Sequence, residues 1–139
     1  MPAVIVTARP TKAERDAIGR GLGAYNRERH PRKLGGGERW FFIRDGDGAI
    51  LAGAKCDQAW DWLYIDWLWV AEAQRRQGLG ASLLAATEAF ARDKGLVGLH
   101  LHTWSFQAPD YYPRHGFTEA GRVADMPEGV VRHWFTKRF

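Results

Sequence analysis

The sequence predicts an α/β (α+β) protein built on a single mixed, mostly antiparallel β-sheet of about seven strands. β-prone and helical segments alternate along the 139 residues in the order β-α-β-β-β-α-β-α-β-β. Strand–helix–strand units in the middle imply some parallel pairing, and the hairpins on either side imply antiparallel strands. No repeat, low-complexity tract or linker interrupts the chain, so residues 1–139 are expected to form one domain.

The first part of the chain supplies a strand and a helix. Residues 3–10 are β-prone and end at a proline, which predicts an edge strand. Thr11 and Glu14 have the spacing of a capping box, so a helix is expected over about 12–29. Three glycines inside this helix are expected to weaken it.

The next segments predict the centre of the sheet. Residues 30–38 form a loop by composition. Residues 39–57 are two β-prone runs on either side of an Asp-Gly turn, which predicts a hairpin. Residues 60–70 are the most aromatic strand of the chain, and their apolar character on both faces predicts a central buried strand.

The remaining elements follow the same patterns. Residues 78–95 repeat apolar side chains at helical spacing and end at a glycine, which predicts the second long helix. Residues 96–104 are expected to form a strand, and residues 107–116 a short helix. Two further strands, over 117–124 and 130–139, close the chain.

The composition fits a globular protein and excludes several other classes. Hydrophobic residues make up 45% and aromatic residues 13% of the chain, which argues against disorder. No apolar run approaches the roughly 18 residues of a membrane span, and no targeting segment is present, so a cytoplasmic protein without a membrane partner is expected. The single cysteine, Cys56, excludes an internal disulfide and is expected to be a buried structural thiol.

The segment RRQGLGASLL, residues 75–84, places two arginines and two glycines at the start of the second long helix. The first turn of a helix leaves backbone N–H groups unpaired, and the helix dipole adds partial positive charge there. The glycines remove side chains that would keep an anion from these groups, and the arginines add charge. The segment lacks the Gly-Lys-Ser/Thr of a P-loop and the third glycine of a dinucleotide fingerprint, so the predicted anion is neither ATP nor NAD.

Two stretches resemble a known family. LWVAEAQRRQGLGASLL (68–84) resembles the acyl-CoA signature of the GNAT superfamily of N-acetyltransferases, Gln/Arg-x-x-Gly-x-Gly/Ala, through Arg75, Gly78 and Gly80. FQAPDYYPRHGF (106–117) resembles the family's later block, Ala-x-x-Phe/Tyr-Tyr-x-x-x-Gly-Phe. The order of strands and helices matches that fold. The resemblance implies a central β-α-β-α acyl-CoA-binding core and an acetyl-CoA-dependent N-acetyltransferase.

The resemblance also implies roles for particular residues. Backbone N–H groups at the helix start would hold the pyrophosphate of acetyl-CoA, and the preceding strand end would supply main-chain groups to the pantetheine arm. Tyr112 would protonate the leaving thiolate, since a phenol of pKa ~10 is near a thiol of ~8.5. Ser105 replaces an asparagine common in the later block and has a shorter reach to the arm. The residues expected to contact the cofactor are Leu68, Val70, Arg75, Arg76, Gln77, Gly78, Leu79, Gly80, Ala81, Ser105, Ala108 and Tyr112.

The general base is sought on the aromatic strand. Alternation predicts one shared face for Tyr64, Asp66, Leu68 and Val70. A lysine-type amine and a carboxylate differ by about 6.5 pKa units, or roughly 9 kcal/mol, so Asp66 would act through ordered water, through a raised pKa, or by attracting a cationic substrate. A structural hydrogen bond or salt bridge at Asp66 is the alternative. His100 and His102 are weaker candidates for a proton relay, and without a third ligand they predict no metal site.

The resemblance leaves the acceptor open: a primary amine of a small molecule or peptide would attack acetyl-CoA directly in a ternary complex. The tryptophans are expected mainly in the core or at a homodimer interface, and an aromatic wall for the amine is the alternative. A non-catalytic acyl-CoA-binding regulatory module is the second candidate function. A basic nucleic-acid-binding domain would explain the net charge of +4, but the aromatic strand has two aspartates and no Lys or Arg, so no nucleic-acid partner is expected.

Overall fold

The computed structural model describes residues 1–30 and 36–139 and places the helices and strands close to their predicted positions. The elements are α1 (Lys12–Arg29), β1 (Gly37–Arg44), β2 (Ile50–Ala59), β3 (Trp62–Val70), α2 (Leu79–Asp93), β4 (Gly98–Trp104), β5 (Thr118–Val123) and β6 (Arg132–Arg138). Short 3₁₀ helices span Glu72–Gln74 and Pro113–His115, the second within the predicted short helix. Part of the predicted loop over 30–38 lies outside the described residues.

The chain divides into two units, Met1–Leu34 and Gly35–Phe139, and the single domain expected for the whole chain stays a prediction. In the first unit, Glu14 N donates to Thr11 Oγ1 at 3.1 Å and Thr11 N donates to Glu14 Oε2 at 2.7 Å. This capping box starts α1 where it is predicted, and the helix continues through its three glycines. None of the described helices is long and apolar enough to cross a membrane.

The edge strand predicted over residues 3–10 is not formed, because the described residues up to the start of α1 contain no strand. A strand persists only when its backbone groups bond to a neighbour. The described part of the first unit holds no second strand that would supply those partners. Propensity alone therefore overstated the strand content by one.

Six strands of the second unit form one mixed sheet in the order β1-β2-β3-β4-β6-β5. Only the neighbours β3 and β4 are parallel, and α2 makes the crossover between them. The remaining neighbouring strands pair antiparallel. The predicted architecture, a mixed and mostly antiparallel sheet, is confirmed with six strands.

The core lies between α2 and one face of the sheet. The buried residues of α2 are Leu83, Leu84, Thr87 and Ala91. Leu84 and Ala91 belong to a cluster with the strand residues Ala54, Cys56, Leu63, Ile65, Leu99, Leu101 and Phe135. Thr87 fits this apolar setting because its hydroxyl donates to Leu84 O at 2.8 Å. Cys56 is fully buried, as expected, and burial raises the pKa of its thiol to about 12.

The sheet face away from α2 is lined with tryptophan. Each of these residues alternates along its strand with residues that face α2. They are Trp40, Trp62, Trp67, Trp69, Trp104 and Trp134, six of the seven tryptophans of the chain. The core position expected for most tryptophans is wrong, because aliphatic side chains take that face, and the homodimer interface stays a prediction. Trp67 and Trp69 are 58% and 52% exposed, so β3 is not buried on both faces.

Replacing Leu99 by alanine should destabilise the second unit, since this side chain is fully buried in the central strand β4. Truncation removes contacts and leaves a cavity, at a cost of about 2.7–5 kcal/mol in the free energy of unfolding. Urea titration followed by circular dichroism measures this cost. Val123→Ala on β5 is the control, because Val123 is 46% exposed, and it should cost about 0.5 kcal/mol or less. Equal losses in the two variants would contradict the assigned core.

Candidate active site

β3 and β4 run side by side for only part of their length. Their parallel pairing joins Trp62–Ile65 to Gly98–Leu101. β3 then continues to Val70 and β4 to Trp104 without pairing to each other. The two strands part at this point, and the gap between them is edged by main-chain N–H and C=O groups that are not bonded across it.

A β-bulge in β3 marks the point where the strands part. Lys55 of β2 pairs with Trp67, whereas the next residue, Cys56, pairs with Ile65. Asp66 is therefore an extra residue with no partner on β2. A bulge of this kind bends the strand and increases its local twist. The bend directs the end of β3 away from β4.

The bulge also changes which side chains share a face. The sequence predicts one face for Tyr64, Asp66, Leu68 and Val70. This prediction is wrong, because an extra residue reverses the alternation beyond it. Leu68 packs against the core cluster. Asp66 instead forms an ion pair on the other face, where Lys55 Nζ donates to Asp66 Oδ2 at 3.0 Å.

The helix α2 begins at the edge of this gap without a cap. Its N-cap residue is Gly78, which has a φ of 81°, and no side chain of the described residues caps the first-turn N–H groups. Arg76 is also left-handed, with a φ of 64°. Arg75 Nε donates to Val70 O at 3.1 Å and so fixes the loop to the end of β3. The first-turn N–H groups thus carry the positive end of the helix dipole with no side chain to neutralise them.

Gly80, in the first turn of α2, allows a tyrosine to lie close to the helix. A Cβ at this position would come within 2.8 Å of the Tyr111 hydroxyl oxygen and 3.8 Å of Val70 Cγ2. Any larger residue would push the Tyr111 ring away from the helix. Burial raises the pKa of Tyr111. The second glycine of the motif is thus needed for close packing, in addition to the access that it gives to the backbone.

The gap and the helix start together form a cleft of about 680 Å³. Ten residues predicted to contact the cofactor line it: Leu68, Val70, Arg75, Arg76, Gly78, Leu79, Gly80, Ala81, Ala108 and Tyr112. Thr103, Phe106 and Gln107 also line it, although no sequence pattern predicted a role for them. The volume lies in the range of small-molecule and cofactor sites.

Two of the predicted cofactor contacts lie outside the cleft lining. Gln77 Nε2 donates to Ala73 O at 3.3 Å. Ser105 is engaged with Val131 of the chain before β6: Val131 N donates to Ser105 Oγ at 3.1 Å, and Ser105 N donates to Val131 O at 2.8 Å. Both side chains therefore hold neighbouring backbone. Their contacts with a cofactor stay predictions.

Gln107 in the cleft wall bonds to the end of β4, a role that no sequence pattern predicted. Its Oε1 accepts from Thr103 Oγ1 at 2.8 Å and from Trp104 N at 3.2 Å. The side-chain amide thereby accepts from the backbone N–H at the end of β4, where the strand no longer pairs with β3. Its place beside Ala108, in the second stretch that carries the family resemblance, was the only sequence signal that pointed to it.

Tyr112 lines the cleft and packs into the core at the same time. The centroid of its ring lies 5.7 Å from that of Phe117 and 5.8 Å from that of Phe135. Burial raises the pKa of Tyr112 to about 12, and the neighbouring Tyr111 adds to the rise. The hydroxyl therefore keeps its proton at neutral and moderately alkaline pH.

A chain of three polar side chains lies on the sheet face away from α2. Tyr64 Oη and His102 Nδ1 are 2.5 Å apart, and His102 Nε2 and Arg132 Nη2 are 2.6 Å apart. An arginine only donates, so Nε2 is the acceptor and the proton of the neutral imidazole belongs on Nδ1. His102 then donates to Tyr64, and the Tyr64 hydroxyl proton is available to a further acceptor.

The electrostatics of this group agree with a neutral imidazole. Burial and then Arg132 lower the pKa of His102. Burial also lowers the pKa of His100, whose ring lies 5.0 Å from the Tyr64 ring. The pKa of Tyr64 is raised, chiefly by burial and then by Asp66, against the opposing effect of Arg132.

Asp66 belongs to a cluster of charges around one lysine. Lys55 Nζ lies 3.0 Å from Asp66, 3.6 Å from Glu38 and 3.9 Å from Asp57. The hydrogen bond to Asp66 is the largest cause of the raised pKa of Lys55. Three carboxylates beside one ammonium leave this part of the face negative. No group of histidine, cysteine or acidic side chains in residues 1–30 and 36–139 has the arrangement of a metal site.

Comparison with known proteins gives one family. The model of the acetyltransferase (GNAT) family matches residues 12–117. Blasticidin-S acetyltransferase of Streptomyces morookaense is 40% identical over 91 residues, which cover 65% of this chain and 67% of that protein. The crystal structure of an acetyltransferase from Bacillus cereus ATCC 14579 has a TM-score of 0.87 and 33% identity, over 97% of this chain and 98% of that chain.

A more distant structure shows the fold alone. A protein from Bacillus anthracis str. Ames, crystallised in complex with acetyl coenzyme A, has a TM-score of 0.67 and 19% identity, over 76% of this chain and 64% of that chain. The family match runs from α1 to the end of the second stretch that carries the resemblance. The predicted enzyme class, an acyltransferase, is confirmed by these matches. The chain belongs to the GNAT family of acetyltransferases.

Proposed function

We propose that this acetyltransferase moves the acetyl group of acetyl-CoA to a primary amine of a small molecule or peptide, by direct attack within a ternary complex. The observation that carries the proposal is the start of α2, which opens without a cap onto the cleft between β3 and β4. Anions bind at such helix starts. The glycines there leave room for a diphosphate.

The cleft residues fit the two polar parts of acetyl-CoA. Backbone N–H groups of about 76–81 would bind the pyrophosphate, and the charges of Arg75 and Arg76 would strengthen this contact. Main-chain groups of Leu68 and Val70 would bond to the pantetheine amides, as an added strand would. Side-chain changes at these two positions would then act through packing.

The reaction forms a bond between the amine nitrogen and the thioester carbonyl carbon and breaks the C–S bond. The neutral amine nitrogen loses one proton and the thiolate gains one, so the products are an amide and a free thiol. We assign Tyr112 to the sulfur. Its pKa of about 12 lies roughly 3.5 units above that of a thiol, so complete transfer from the phenol is uphill by about 5 kcal/mol. Tyr112 therefore acts mainly by donating a hydrogen bond to the departing sulfur.

Asp66 is assigned to attraction of the acceptor. Its carboxylate is already bound to Lys55, and Glu38 and Asp57 add negative charge beside it. A carboxylate oxygen that accepts from an ammonium is a weak base, which opposes direct removal of the amine proton by Asp66. Asp66 therefore orients the protonated amine, which releases one proton to ordered water before the neutral nitrogen attacks the thioester.

The decisive experiment measures binding and transfer separately. Calorimetry with acetyl-CoA tests the cleft, and release of free thiol is then followed over a panel of blasticidin S, simple diamines and short peptides. The relative named for blasticidin S supports a small-molecule acceptor, so we expect release with a small amine. Binding without release for any amine would favour the non-catalytic acyl-CoA module.

Gly78→Ala should weaken acetyl-CoA binding. The left-handed φ of this residue is strained for alanine, and relaxation would turn the first-turn N–H groups away from the cleft. We expect KM for acetyl-CoA to rise roughly tenfold or more, about the loss of one charge-assisted hydrogen bond. Gly48→Ala is the matched control, because Gly48 also has a left-handed φ and open space around its Cβ position but lies in the turn between β1 and β2. A similar KM for acetyl-CoA in both variants would refute the proposed pyrophosphate site at the start of α2.

Tyr112→Phe should lower turnover with little change in KM for acetyl-CoA, because the hydroxyl acts only on the departing sulfur. The expected loss in kcat is roughly tenfold or more. Tyr111→Phe is the control, since this ring lines the same cleft, and its kcat should stay within about threefold of the native enzyme. Full activity of Tyr112→Phe would remove the assignment, and a loss confined to Tyr111→Phe would transfer it.

The raised pKa of Tyr112 predicts the alkaline side of the pH profile. A phenol with a pKa of about 12 stays protonated through the usual assay range, so it causes no loss of activity as the pH rises. We expect kcat/KM to rise with deprotonation of the amine and to show no fall below about pH 10. The measurement is a profile of native enzyme and Tyr112→Phe. A falling limb near pH 8 or 9 that the variant lacks would contradict this.

A further inference from the structure

Arg132 carries a charge that no described residue balances. Its guanidinium forms no ion pair within residues 1–30 and 36–139. Its side-chain hydrogen bonds go to neutral groups, to the ring of His102 and to the Tyr64 hydroxyl. Its Nε is buried without a partner in the described part of the chain. A partly buried cation without a counter-charge is costly to the fold, so an anion that completes it would be bound with advantage.

The guanidinium is held in one position by aromatic rings. Arg132 Cζ lies 5.2 Å from the ring centroid of Trp104 and 4.8 Å from that of Trp134. The His102 ring packs on the same two indoles, with centroids 5.2 Å and 4.8 Å away. Pairing of β4 with β6 sets Trp104 opposite Arg132 and His102 opposite Trp134. A guanidinium fixed in this way is preorganised to pair with a planar carboxylate through two parallel hydrogen bonds.

The neighbouring polar groups extend the same preference. Because Arg132 donates to His102 and His102 donates to Tyr64, the free ends of this chain are donors. A region that offers donors and positive charge fits an anionic group and disfavours an ammonium. The region lies beside the gap, because Tyr64 belongs to the last pairs before β3 and β4 part.

The opposite charge lies across β4. Arg132 is on β6 and Asp66 is on β3, with β4 between them in the sheet. Asp66 belongs to the acidic cluster around Lys55, which has three carboxylates for one ammonium. One side of the gap on this face is therefore negative and the other side is positive. A molecule with an ammonium and a carboxylate matches both sides at once.

We infer that the acceptor is an amine that also carries a carboxylate, and that Arg132 is the specificity-determining residue that binds the carboxylate while the amine turns toward Asp66. The inference rests on the proposed function, because it places the acceptor on the sheet face away from α2. Arg132 touches the far end of the acceptor and takes no part in the reacting bonds.

The test uses two amines that differ in one charge. 4-(Aminomethyl)benzoate and 4-(aminomethyl)benzamide share an aromatic ring and a primary amine, and only the first has a carboxylate. Their dissociation constants are measured by ligand-observed NMR titration of enzyme saturated with coenzyme A, so no acetyl group is transferred. We expect the native enzyme to bind the benzoate roughly tenfold or more tightly, about the effect of one charge-assisted hydrogen bond. Equal affinity for the two amines would overturn the inference.

Variants then assign the preference to one residue. Arg132→Gln should bind the two amines about equally, and Arg132→Lys should keep part of the preference, since it keeps the charge without the fork. Arg138→Gln is the matched control: Arg138 lies on the same face of β6 over the ring of Trp62, 6.0 Å from its centroid. A preference that survives in Arg132→Gln would refute the assignment. If Arg132→Gln does not fold, the ratio of the two dissociation constants in the native enzyme and in Arg132→Lys still tests the inference.

A parallel assay of acetyl transfer separates the two proposals. Binding of the benzoate through Arg132 without release of thiol from acetyl-CoA would leave the anion site standing and remove the proposed reaction. Acetylation of both amines with equal affinity and equal kcat/KM would leave the reaction standing and remove the anion site.

Discussion

The parting of β3 from β4 is the constraint on which the arrangement of the site depends. A parallel pair usually bonds along its whole length, because buried backbone groups need partners. Here the extra residue Asp66 bends β3 away after the pair of Ile65 and Leu101. β2 and β6 hold the two strands from their outer edges, so the sheet stays continuous. The inner edges remain open, and Gln107 bonds to the end of β4 where the ladder has stopped.

The same bulge divides the chemistry of the molecule between two faces of one sheet. On the side of α2, Leu68 continues the apolar surface of Ile65, and the helix start meets the opened strands. On the other side the exposed indoles, the ion pair of Asp66 with Lys55 and the chain from Arg132 to Tyr64 form a polar aromatic surface. We regard the first side as the place of the acetyl donor and the second as the place of the acceptor. The thioester would then pass through the gap.

Local signals account for what the sequence predicted. The capping box of Thr11 and Glu14 spans only a few residues, and so does the glycine pair before α2. Each motif can be recognised without knowing which distant segment it packs against. The bulge could not be predicted from the sequence. The segment WDWLYIDWLWV has aromatic or aliphatic residues on both sides of Asp66, so its pattern does not show which face each residue takes beyond that point. Position 105 holds a serine where the family commonly has an asparagine, and the side-chain amide nearby comes from Gln107, which turns back to β4. The first predicted strand failed because pairing is a property of two segments.

Cys56 sits beside the bulge and is the only thiol of the chain. Only the thiolate attacks disulfide reagents, and burial suppresses it by raising the pKa of this side chain to about 12. A colorimetric disulfide reagent therefore does not react with the native polypeptide. The colour that it develops measures released coenzyme A, and no background from the protein has to be subtracted. Opening of the central strands would expose the sulfur to the reagent. The rate at which Cys56 is labelled would then report how often the sheet opens.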